Sequence, residues 1–412
     1  MTDKVAQRSY SAVLETLRQR LSEPAPARVQ ILAGPRQVGK THLLRRLKEE
    51  AGERAVYAAA DVPEAASTGW WELQWREAEE RAGPDGPGVL LMDEIHYLRD
   101  WSRRLKAEHD ALVARDVQVH VVVSGSSSLK LGWGARESMA GRFERLELRH
   151  WPASELVAQF GLTPERAVEI AVEFGTYPGA VALLGEPERW RSYVRDSIVE
   201  PAVGRDIQAL ALVRKPALLR AVFSIAVGHP AEIVSLQKLR AGLDDAGALE
   251  TIAQYLRLLE DAYLVAPLSK LAANATRRRA APPKLVTLNQ GILAALGAGS
   301  PPELASDRAL AGRWIENACI AYAWNAGQEV TYWRAEPLEV DMVTDGSWGR
   351  WAVEVKTGAY AVGDLSGLLE CCRRYPDFRP LLLCREGDEA LARRMGVSTQ
   401  PWRTYLLSGP PE

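Results

Sequence analysis

Residues 29–41 read Val-Gln-Ile-Leu-Ala-Gly-Pro-Arg-Gln-Val-Gly-Lys-Thr, and this stretch decides the fold. The run before Gly34 is apolar except for one glutamine, which predicts a short buried strand over residues 29–33. The leucine-rich residues 43–47 predict a helix directly after the loop. Residues 34–41 match G-x-x-x-x-G-K-T, in which glycines let the backbone close around phosphate oxygens and the helix adds its positive N-terminal end. The sequence therefore predicts a phosphate-binding loop between a strand and a helix of an α/β domain.

This loop predicts the contacts of a bound nucleotide. We expect Lys40 to meet the β- and γ-phosphates of ATP, and Thr41 to place its hydroxyl on Mg²⁺. The residues predicted to bind the cofactor are Gly34, Pro35, Arg36, Gln37, Val38, Gly39, Lys40, Thr41 and His42.

A second apolar strand ends in two carboxylates. Residues 89–92 are Val-Leu-Leu-Met, and Asp93 and Glu94 follow them. Such a run is typical of a buried parallel strand, and α/β sheets place ligand chemistry at the C-terminal ends of their strands. We expect Asp93 to hold Mg²⁺, and Glu94 to orient or deprotonate the attacking water.

A third strand is predicted over residues 117–123, and polar residues follow it. Ser124 and Ser126 are candidates to sense the γ-phosphate or its water, although glycine and serine also favour plain turns. Farther along, Arg142 is a candidate to stabilise transition-state charge, in its own chain or from a neighbouring subunit. A surface ion pair is the alternative for Arg142.

The charge of the chain is unevenly spread. The total is −2, from 51 Lys and Arg residues against 53 Asp and Glu residues. Residues 1–190 sum to −3, residues 191–310 to +4 and residues 311–412 to −3. A basic block inside a nearly neutral chain is compatible with a module that faces nucleic acid, and also with a solvated surface.

The basic block predicts a pair of helices followed by a β wing. Residues 234–243 form a short amphipathic pattern, and Leu249, Ile252, Leu256 and Leu259 give one apolar face of a second helix. Residues 264–268 begin the wing, whose tip would carry Arg277, Arg278 and Arg279. Helix pairs with a wing read DNA, and they also serve as protein interaction modules. If the module binds DNA, we expect the wing arginines to contact phosphates.

The last block carries carboxylates and a lysine on strand patterns. Residues 351–356 alternate, which places Glu354 and Lys356 on one face of a strand. Asp341 and Glu354 on adjacent strands would share Mg²⁺, Lys356 would polarise the phosphate or the attacking water, and Glu316 would be an accessory ligand. A Glu–Lys ion pair is the structural alternative to a nuclease site.

The chain resembles the AAA-type ATPases of archaea and bacteria that carry a C-terminal restriction-endonuclease-like domain of uncharacterised role. The resemblance rests on residues 34–41, 91–95, 124–128 and 141–142, with Glu155 and residues 175–179. It implies an α/β fold with an αβα ATPase core over residues 1–150, a helical lid over 151–215, a winged-helix module over 216–300 and a restriction-endonuclease-like domain over 301–412. We expect a homo-oligomer, with a hexamer among the candidate assemblies.

Two functions follow as hypotheses. The first is an oligomeric ATPase that acts on DNA, such as branched or broken DNA, with Mg²⁺-dependent cleavage as an option. The second is a nucleotide-operated switch that recruits a protein partner and keeps an inactive nuclease fold as a scaffold. The N-terminus lacks the apolar segment of a secretory signal, and no apolar run is long enough to span a bilayer. The thiols of Cys319, Cys371, Cys372 and Cys384 form no C-x-x-C pair, which favours buried small side chains in a reducing cytoplasm over a zinc site.

Overall fold

The computed structural model describes residues 8–125, 139, 141–207, 213–243, 248–272, 281–297 and 306–412. The chain divides into two compact units, a first over Arg8–Arg149 and a second over His150–Glu412. None of the helices in these described ranges combines the length and the hydropathy that crossing a bilayer requires.

The first unit alternates helices and strands. Its elements are α1 (Tyr10–Leu21), β1 (Val29–Ala33), α2 (Lys40–Ala51), β2 (Ala55–Ala59), α3 (Trp70–Glu80), β3 (Gly88–Asp93), α4 (Trp101–Arg115), β4 (Val119–Gly125) and β5 (Phe143–Glu147). Short 3-10 turns span Gly52–Arg54, Pro63–Ala66 and Ile95–Tyr97. The strand predicted over residues 29–33 is confirmed.

These strands form one parallel sheet in the order β2-β3-β4-β1-β5. Every residue of β1, β3 and β4 is buried, because a parallel sheet sits inside its covering helices. Ala33 pairs with both Gly125 and Glu147, and Met92 pairs with Val123. The loops that follow β1, β3 and β4 therefore leave the sheet at one common edge.

One strand boundary differs from the prediction. The strand expected over residues 117–123 begins at Val119 and continues to Gly125, because the ladder with β1 extends through Ser124 and Gly125. Ser124 is therefore a buried strand residue and does not lie in a turn after the strand.

The second unit begins with helices. They are α5 (Ala153–Phe160), α6 (Pro164–Glu173), α7 (Pro178–Val181) and α8 (Pro187–Ser192), followed by π-helical segments over Tyr193–Val199 and Ala202–Asp206. A mixed segment follows, consisting of α9 (Pro216–Val227), β6 (Glu232–Ile233), α10 (Leu236–Ala241), α11 (Leu249–Asp261), β7 (Val265–Leu268), β8 (Lys284–Thr287) and α12 (Gln290–Leu296).

The mixed segment folds around a small antiparallel sheet in the order β6-β8-β7. The apolar stripe predicted for the second helix faces inward, since Ile252, Leu256 and Leu259 of α11 are buried. Leu239 anchors α10 against the same core. The order of elements is thus helix, strand, helix, helix, strand, strand.

The last segment packs helices on a mixed sheet. Its elements are α13 (Arg308–Asn325), β9 (Glu329–Ala335), β10 (Leu338–Asp345), β11 (Trp351–Val355), α14 (Ser366–Arg374), β12 (Arg379–Cys384), α15 (Ala390–Arg394), β13 (Ser398–Pro401) and α16 (Trp402–Ser408), with a 3-10 turn over Val362–Leu365. The sheet order is β13-β12-β11-β10-β9. The pairs among β9, β10 and β11 are antiparallel, and those among β11, β12 and β13 are parallel. Cys319, Cys371 and Cys384 are buried and Cys372 is half-buried, all as free thiols.

A polar junction joins α6, the mixed segment and His150 within the second unit. Asn289 begins α12 and accepts a hydrogen bond from Gly291 N–H at 2.9 Å. Its amide nitrogen lies 3.1 Å from His150 Nδ1, and His150 Nε2 lies 3.0 Å from the Tyr263 carbonyl. Gly175 adopts φ +74° directly beside Asn289.

We expect Gly175→Ala to destabilise the second unit strongly. A Cβ at this position would lie 2.0 Å from Asn289 Oδ1 and 2.2 Å from Gly291 N, in a left-handed conformation. Gly161→Ala is the matched control, because Gly161 also has positive φ (+65°) but no atom within 4 Å of the new Cβ. The control should lose about 1 kcal/mol, and Gly175→Ala at least about 2 kcal/mol more, in urea unfolding of the full chain. Equal losses would contradict the packing argument.

Candidate functional site

The loop over residues 34–39 has the backbone of a phosphate-binding loop. Gln37 and Gly39 have positive φ values of 59° and 98°, and α2 begins immediately afterwards at Lys40. Gly34 must be glycine, since a Cβ there would lie 1.9 Å from the Leu148 carbonyl oxygen. The loop thus turns sharply from β1 into the N-terminus of α2, where backbone N–H groups favour an anion.

Lys40 is buried inside this loop. Its ammonium donates to the carbonyl oxygens of Gly34 at 3.0 Å and Pro35 at 2.7 Å. Thr41 is half-buried beside it, and His42, on the same first turn of α2, has its Nδ1 2.8 Å from the Tyr10 hydroxyl. The neutral carbonyls that hold Lys40 are weaker partners than phosphate oxygens.

Asp93 lies at the same edge of the sheet, and three groups fix its carboxylate. The Ser124 hydroxyl donates to Oδ1, the Glu94 N–H donates to Oδ1 at 3.1 Å, and the Tyr57 hydroxyl donates to Oδ2 at 3.0 Å. Burial, followed by the Asp93 carboxylate, raises the pKa of Tyr57 to about 12, so the phenol keeps its proton. In this arrangement Ser124 orients Asp93, a role that the sequence did not suggest.

Glu94 adopts a left-handed backbone conformation, with φ 50° and ψ 39°. Such a conformation is strained for a non-glycine residue, and strain of this kind clusters at functional sites. Glu94 Oε2 lies 3.1 Å from His96 Nδ1. The sharp turn holds the Glu94 side chain directly beyond the end of β3. Ser126, the second candidate sensor, lies outside the described residues.

Arg142 lies on the opposite side of the sheet, beside the N-terminal ends of β1 and β5. It precedes Phe143, which pairs with Val29 at the start of β1, whereas the phosphate loop follows Ala33 at the end of β1. The length of β1 from Val29 to Ala33, four residue steps, separates these two ends of the strand by roughly 13 Å. Arg142 donates to Asp110 of α4, so the ion pair weighed as its alternative is present. The expectation that Arg142 acts on its own chain's phosphate is therefore corrected, and a role in a neighbouring subunit stays a prediction.

The phosphate-loop edge carries a cluster of arginines that the sequence analysis missed. Glu147, opposite Ala33, is paired with Arg8 at 2.7 Å, Arg149 at 2.8 Å and Arg145 at 3.1 Å. Burial raises the pKa of Glu147, but the three guanidinium groups outweigh it and the pKa is lowered. Three guanidiniums around one carboxylate leave positive charge at an edge that would receive a polyphosphate. The alternation of Arg145 and Glu147 on β5 with Arg149 two residues beyond the strand was the available signal.

The C-terminal residues predicted from sequence do come together. Asp341 of β10 and Glu354 of β11 lie on neighbouring antiparallel strands, and Asp341 Oδ2 accepts from Val355 N–H at 2.8 Å. A register irregularity between Val340 and Val343 redirects the chain at Asp341. Lys356 follows β11, and its ammonium donates to Glu354 Oε1 at 2.7 Å. The Glu–Lys pair weighed as the structural alternative is thus present.

Lys284 lies at the centre of this cluster and was not among the residues predicted from sequence. Lys284 opens β8 and is 1% exposed. Its ammonium lies 2.6 Å from Glu316 Oε1, 3.0 Å from the Asp341 carbonyl, and 3.6 Å from both Asp341 Oδ1 and Glu339 Oε1. A lysine at the start of a strand whose other residues are Leu, Val and Thr was the only sequence signal.

Comparison with known proteins divides the chain into three matched segments. Residues 26–157 match the AAA domain family. Residues 165–303 and 311–405 match domains of unknown function, DUF8612 and DUF4143.

Two kinds of match extend over most of the chain. The matching protein sequences are uncharacterized, and the matching solved structure is only modestly similar. Uncharacterized proteins of Mycobacterium tuberculosis and Mycobacterium bovis are each 27% identical over 340 residues, 80% of this chain and 70% of theirs. A Walker-type ATPase of Pyrococcus abyssi superposes with a TM-score of 0.46 at 14% identity, over 70% of this chain and 97% of that one. The function must therefore be argued from this chain's own residues.

The first unit and the C-terminal cluster differ in their fit to Mg²⁺. In the first unit, a threonine hydroxyl at the start of α2 and the fixed Asp93 carboxylate at the same sheet edge are the oxygen donors that Mg²⁺ uses with phosphates. Within the described residues, no group of three or more His, Cys, Asp or Glu side chains is arranged to hold a metal ion. Glu316 and Asp341 instead surround the Lys284 ammonium. The residues of the C-terminal cluster therefore do not fit a Mg²⁺ ion in this structure.

Three carboxyl groups and two ammonium groups meet in the C-terminal cluster. Burial, followed by the Asp341 carboxylate, raises the pKa of both Glu316 and Glu354 to about 8. Burial lowers the pKa of Lys284, but the Glu316 and Asp341 carboxylates outweigh it and the pKa is raised. Lys284 is therefore charged, and the carboxyl groups of Glu316, Asp341 and Glu354 share two ammonium groups, those of Lys284 and Lys356.

We expect the second unit to become less stable as pH rises from about 5 to about 8. An unfolded glutamate loses its proton near ~4.3, whereas Glu316 and Glu354 hold theirs to about 8, so the folded state binds more protons in this window. The contribution of Lys284, whose pKa is raised, is complete below ~10.4 and adds no slope here. The melting temperature of the full chain across this range measures the effect.

Glu316→Gln should flatten this dependence, because it removes one of the two titrating groups. The control is Glu336→Gln, a glutamate whose side chain is 75% exposed in the same unit, which should leave the slope unchanged. A melting temperature that rises with pH across the window would contradict the charge count.

Proposed function

We propose that the chain binds and hydrolyses ATP at the edge of the first unit's sheet. The observation that carries the proposal is that Lys40, held by two loop carbonyls, lies at the same edge of the sheet as Asp93 and Glu94 at the end of β3. Because β1 and β3 both pair with β4 in parallel, the phosphate loop after β1 and the end of β3 lie at the same edge of the sheet. The match of residues 26–157 to AAA domains supports the same activity.

Each residue has a distinct task in this mechanism. Lys40 exchanges the Gly34 and Pro35 carbonyls for phosphate oxygens, and the N-terminus of α2 supports the same negative charge. Thr41 and Asp93 would hold Mg²⁺, which supplies neutralisation of the charge that develops on the β- and γ-phosphates. Tyr57 and Ser124 keep the Asp93 carboxylate in one orientation. Glu94 orients the attacking water or accepts a proton from it.

Two variants separate binding from hydrolysis. Lys40→Ala should lose ATP binding, because its ammonium is the group that meets the β- and γ-phosphates. Glu94→Gln should bind ATP with wild-type affinity and hydrolyse it at least ~100-fold more slowly, since an amide cannot take the proton. Fluorescent-nucleotide titration and phosphate release measure the two steps. The control, Glu64→Gln, changes an exposed carboxylate of the same unit and should do neither. Wild-type turnover in Glu94→Gln would remove Glu94 from the mechanism.

We further propose that the mixed segment is a winged-helix module that contacts DNA. The order α9-β6-α10-α11-β7-β8 and the sheet order β6-β8-β7 support a winged helix. Exposed Lys238 and Arg240 on α10 and Arg257 on α11 supply positive charge beside the helix pair. Arg277, Arg278 and Arg279 of the proposed wing lie outside the described residues and remain predicted phosphate contacts. The boundaries of the four domains remain predictions as well.

DNA should raise the rate of ATP turnover. We expect single-stranded, duplex or branched DNA to stimulate phosphate release several-fold, and the triple change Arg277→Ala, Arg278→Ala and Arg279→Ala to weaken the effect and its dependence on salt. Arg189→Ala with Arg191→Ala is the control, since these arginines form only exposed ion pairs on α8. Turnover indifferent to every DNA form would favour the other hypothesis, a nucleotide-operated switch that recruits a protein partner.

We also propose a homo-oligomer. Because Arg142 lies at the edge opposite its own phosphate loop, its proposed role in stabilising transition-state charge requires a phosphate bound to a neighbouring copy. Cooperative ATP turnover and a ring-sized species, a hexamer among the candidates, would support that assembly.

For the C-terminal segment we propose a restriction-endonuclease-like fold that serves as a scaffold and does not cleave DNA. The support for the fold is the sheet order β13-β12-β11-β10-β9, with α14 between β11 and β12 along the chain. The support for inactivity is the Lys284 ammonium among the carboxylates that a nuclease needs for metal. If cleavage is observed, Lys356→Ala must abolish it for this cluster to be its source.

A further inference from the structure

We infer that Lys284 takes the place of a divalent cation in the C-terminal cluster, and that the chain carries a divalent-cation site which opens only when this ammonium is removed. The inference rests on the proposed nuclease-like, inactive scaffold, and it identifies the residue that closes the site. Lys284 and a metal ion are alternative occupants of one set of oxygens.

Oxygen atoms surround the Lys284 ammonium as they would surround a metal ion. Four oxygens from Glu316, Asp341 and Glu339 lie within 3.6 Å of it. An ammonium donates three hydrogen bonds, and its two shortest contacts go to Glu316 and to the Asp341 carbonyl. Carboxylate and carbonyl oxygens are also the ligands of hard divalent cations, at about 2.0–2.6 Å. The oxygens therefore suit either cation.

The second argument is that Lys284 cannot move aside easily. It pairs with Ile233 of β6 on one side and with Leu268 of β7 on the other, in the middle strand of the antiparallel sheet. Withdrawing the ammonium would break the first ladder pairs of β8 or leave a charge buried without partners. A divalent ion among the same oxygens would face the fixed ammonium at ~4 Å, a strong repulsion at low dielectric.

The third argument comes from Glu354, which points to unused ligand capacity. Its side chain is 6% exposed, and its Oε2 is buried without a hydrogen-bond partner while Oε1 binds Lys356. A buried carboxylate oxygen without a partner is costly. Glu354 lies on the strand beside Asp341, whose Oδ2 accepts from the N–H of the next residue, Val355, so this unused oxygen belongs to the same cluster as the Lys284 partners.

The test is Mn²⁺ binding to the full chain without nucleotide, read by electron paramagnetic resonance. Wild type should bind no Mn²⁺ that depends on Asp341, so Asp341→Asn should leave its titration unchanged. Lys284→Met keeps the length and packing of the side chain but removes the charge, and it should gain one bound Mn²⁺. The double variant Lys284→Met with Asp341→Asn should lose that ion again.

Stability measurements keep the inference testable if Lys284→Met folds poorly. Losing the ammonium should lower the melting temperature, and Mn²⁺ should restore it in Lys284→Met but not in the double variant. An Asp341-dependent Mn²⁺ site in the wild type would overturn the inference. So would a Lys284→Met protein that gains no ion and no stability from Mn²⁺. Absent ATP turnover in the same preparations would contradict the proposed ATPase alone.

Discussion

A buried ammonium must be surrounded by oxygens, and that requirement fixes the second unit around Lys284. Desolvating the charge costs several kcal/mol, which only close and well-placed partners offset. The partners arrive from a helix, Glu316 of α13, and from a strand, Asp341 of β10, while Lys284 itself starts β8 of a different sheet. The contacts of Lys284 therefore join the small antiparallel sheet to the C-terminal sheet, together with the backbone hydrogen bonds between Tyr332 of β9 and the residues Ser269 and Leu271.

Lys40 answers the same requirement in a different way. Its partners are the neutral carbonyls of Gly34 and Pro35, and all three groups belong to one short loop. A polyphosphate offers charged oxygens in exchange, so ligand binding can replace these contacts at little cost. Lys284 is held by carboxylates, and an anion would be repelled by them. Lys40 can thus exchange its partners for a ligand, whereas Lys284 stabilises the fold.

Sequence reasoning worked where the chemistry is contiguous. The phosphate loop, Asp93 and Glu94 follow directly from strands 29–33 and 88–93, because strand ends in a parallel sheet meet at one edge whatever the loops do. It left the role of Arg142 open, because the edge at which this residue lies depends on the register of β5 against β1. It also failed for Lys284, since Glu316 and Asp341 lie 32 and 57 positions farther along the chain. Patterns of period two or 3.6 carry no information about such partners.

Two consecutive residues of α13 bind the first and the last residue of β8. Glu316 binds the Lys284 ammonium at the first residue of the strand, and Asn317 pairs with both the N–H and the carbonyl of Thr287 at the last, at 3.0 and 2.8 Å. Asn317 is fully buried, so neither hydrogen bond can be exchanged with water. Sliding β8 along α13 would break the ion pair and both hydrogen bonds together. The proposed DNA-contacting module is therefore joined to the C-terminal segment at both ends of β8.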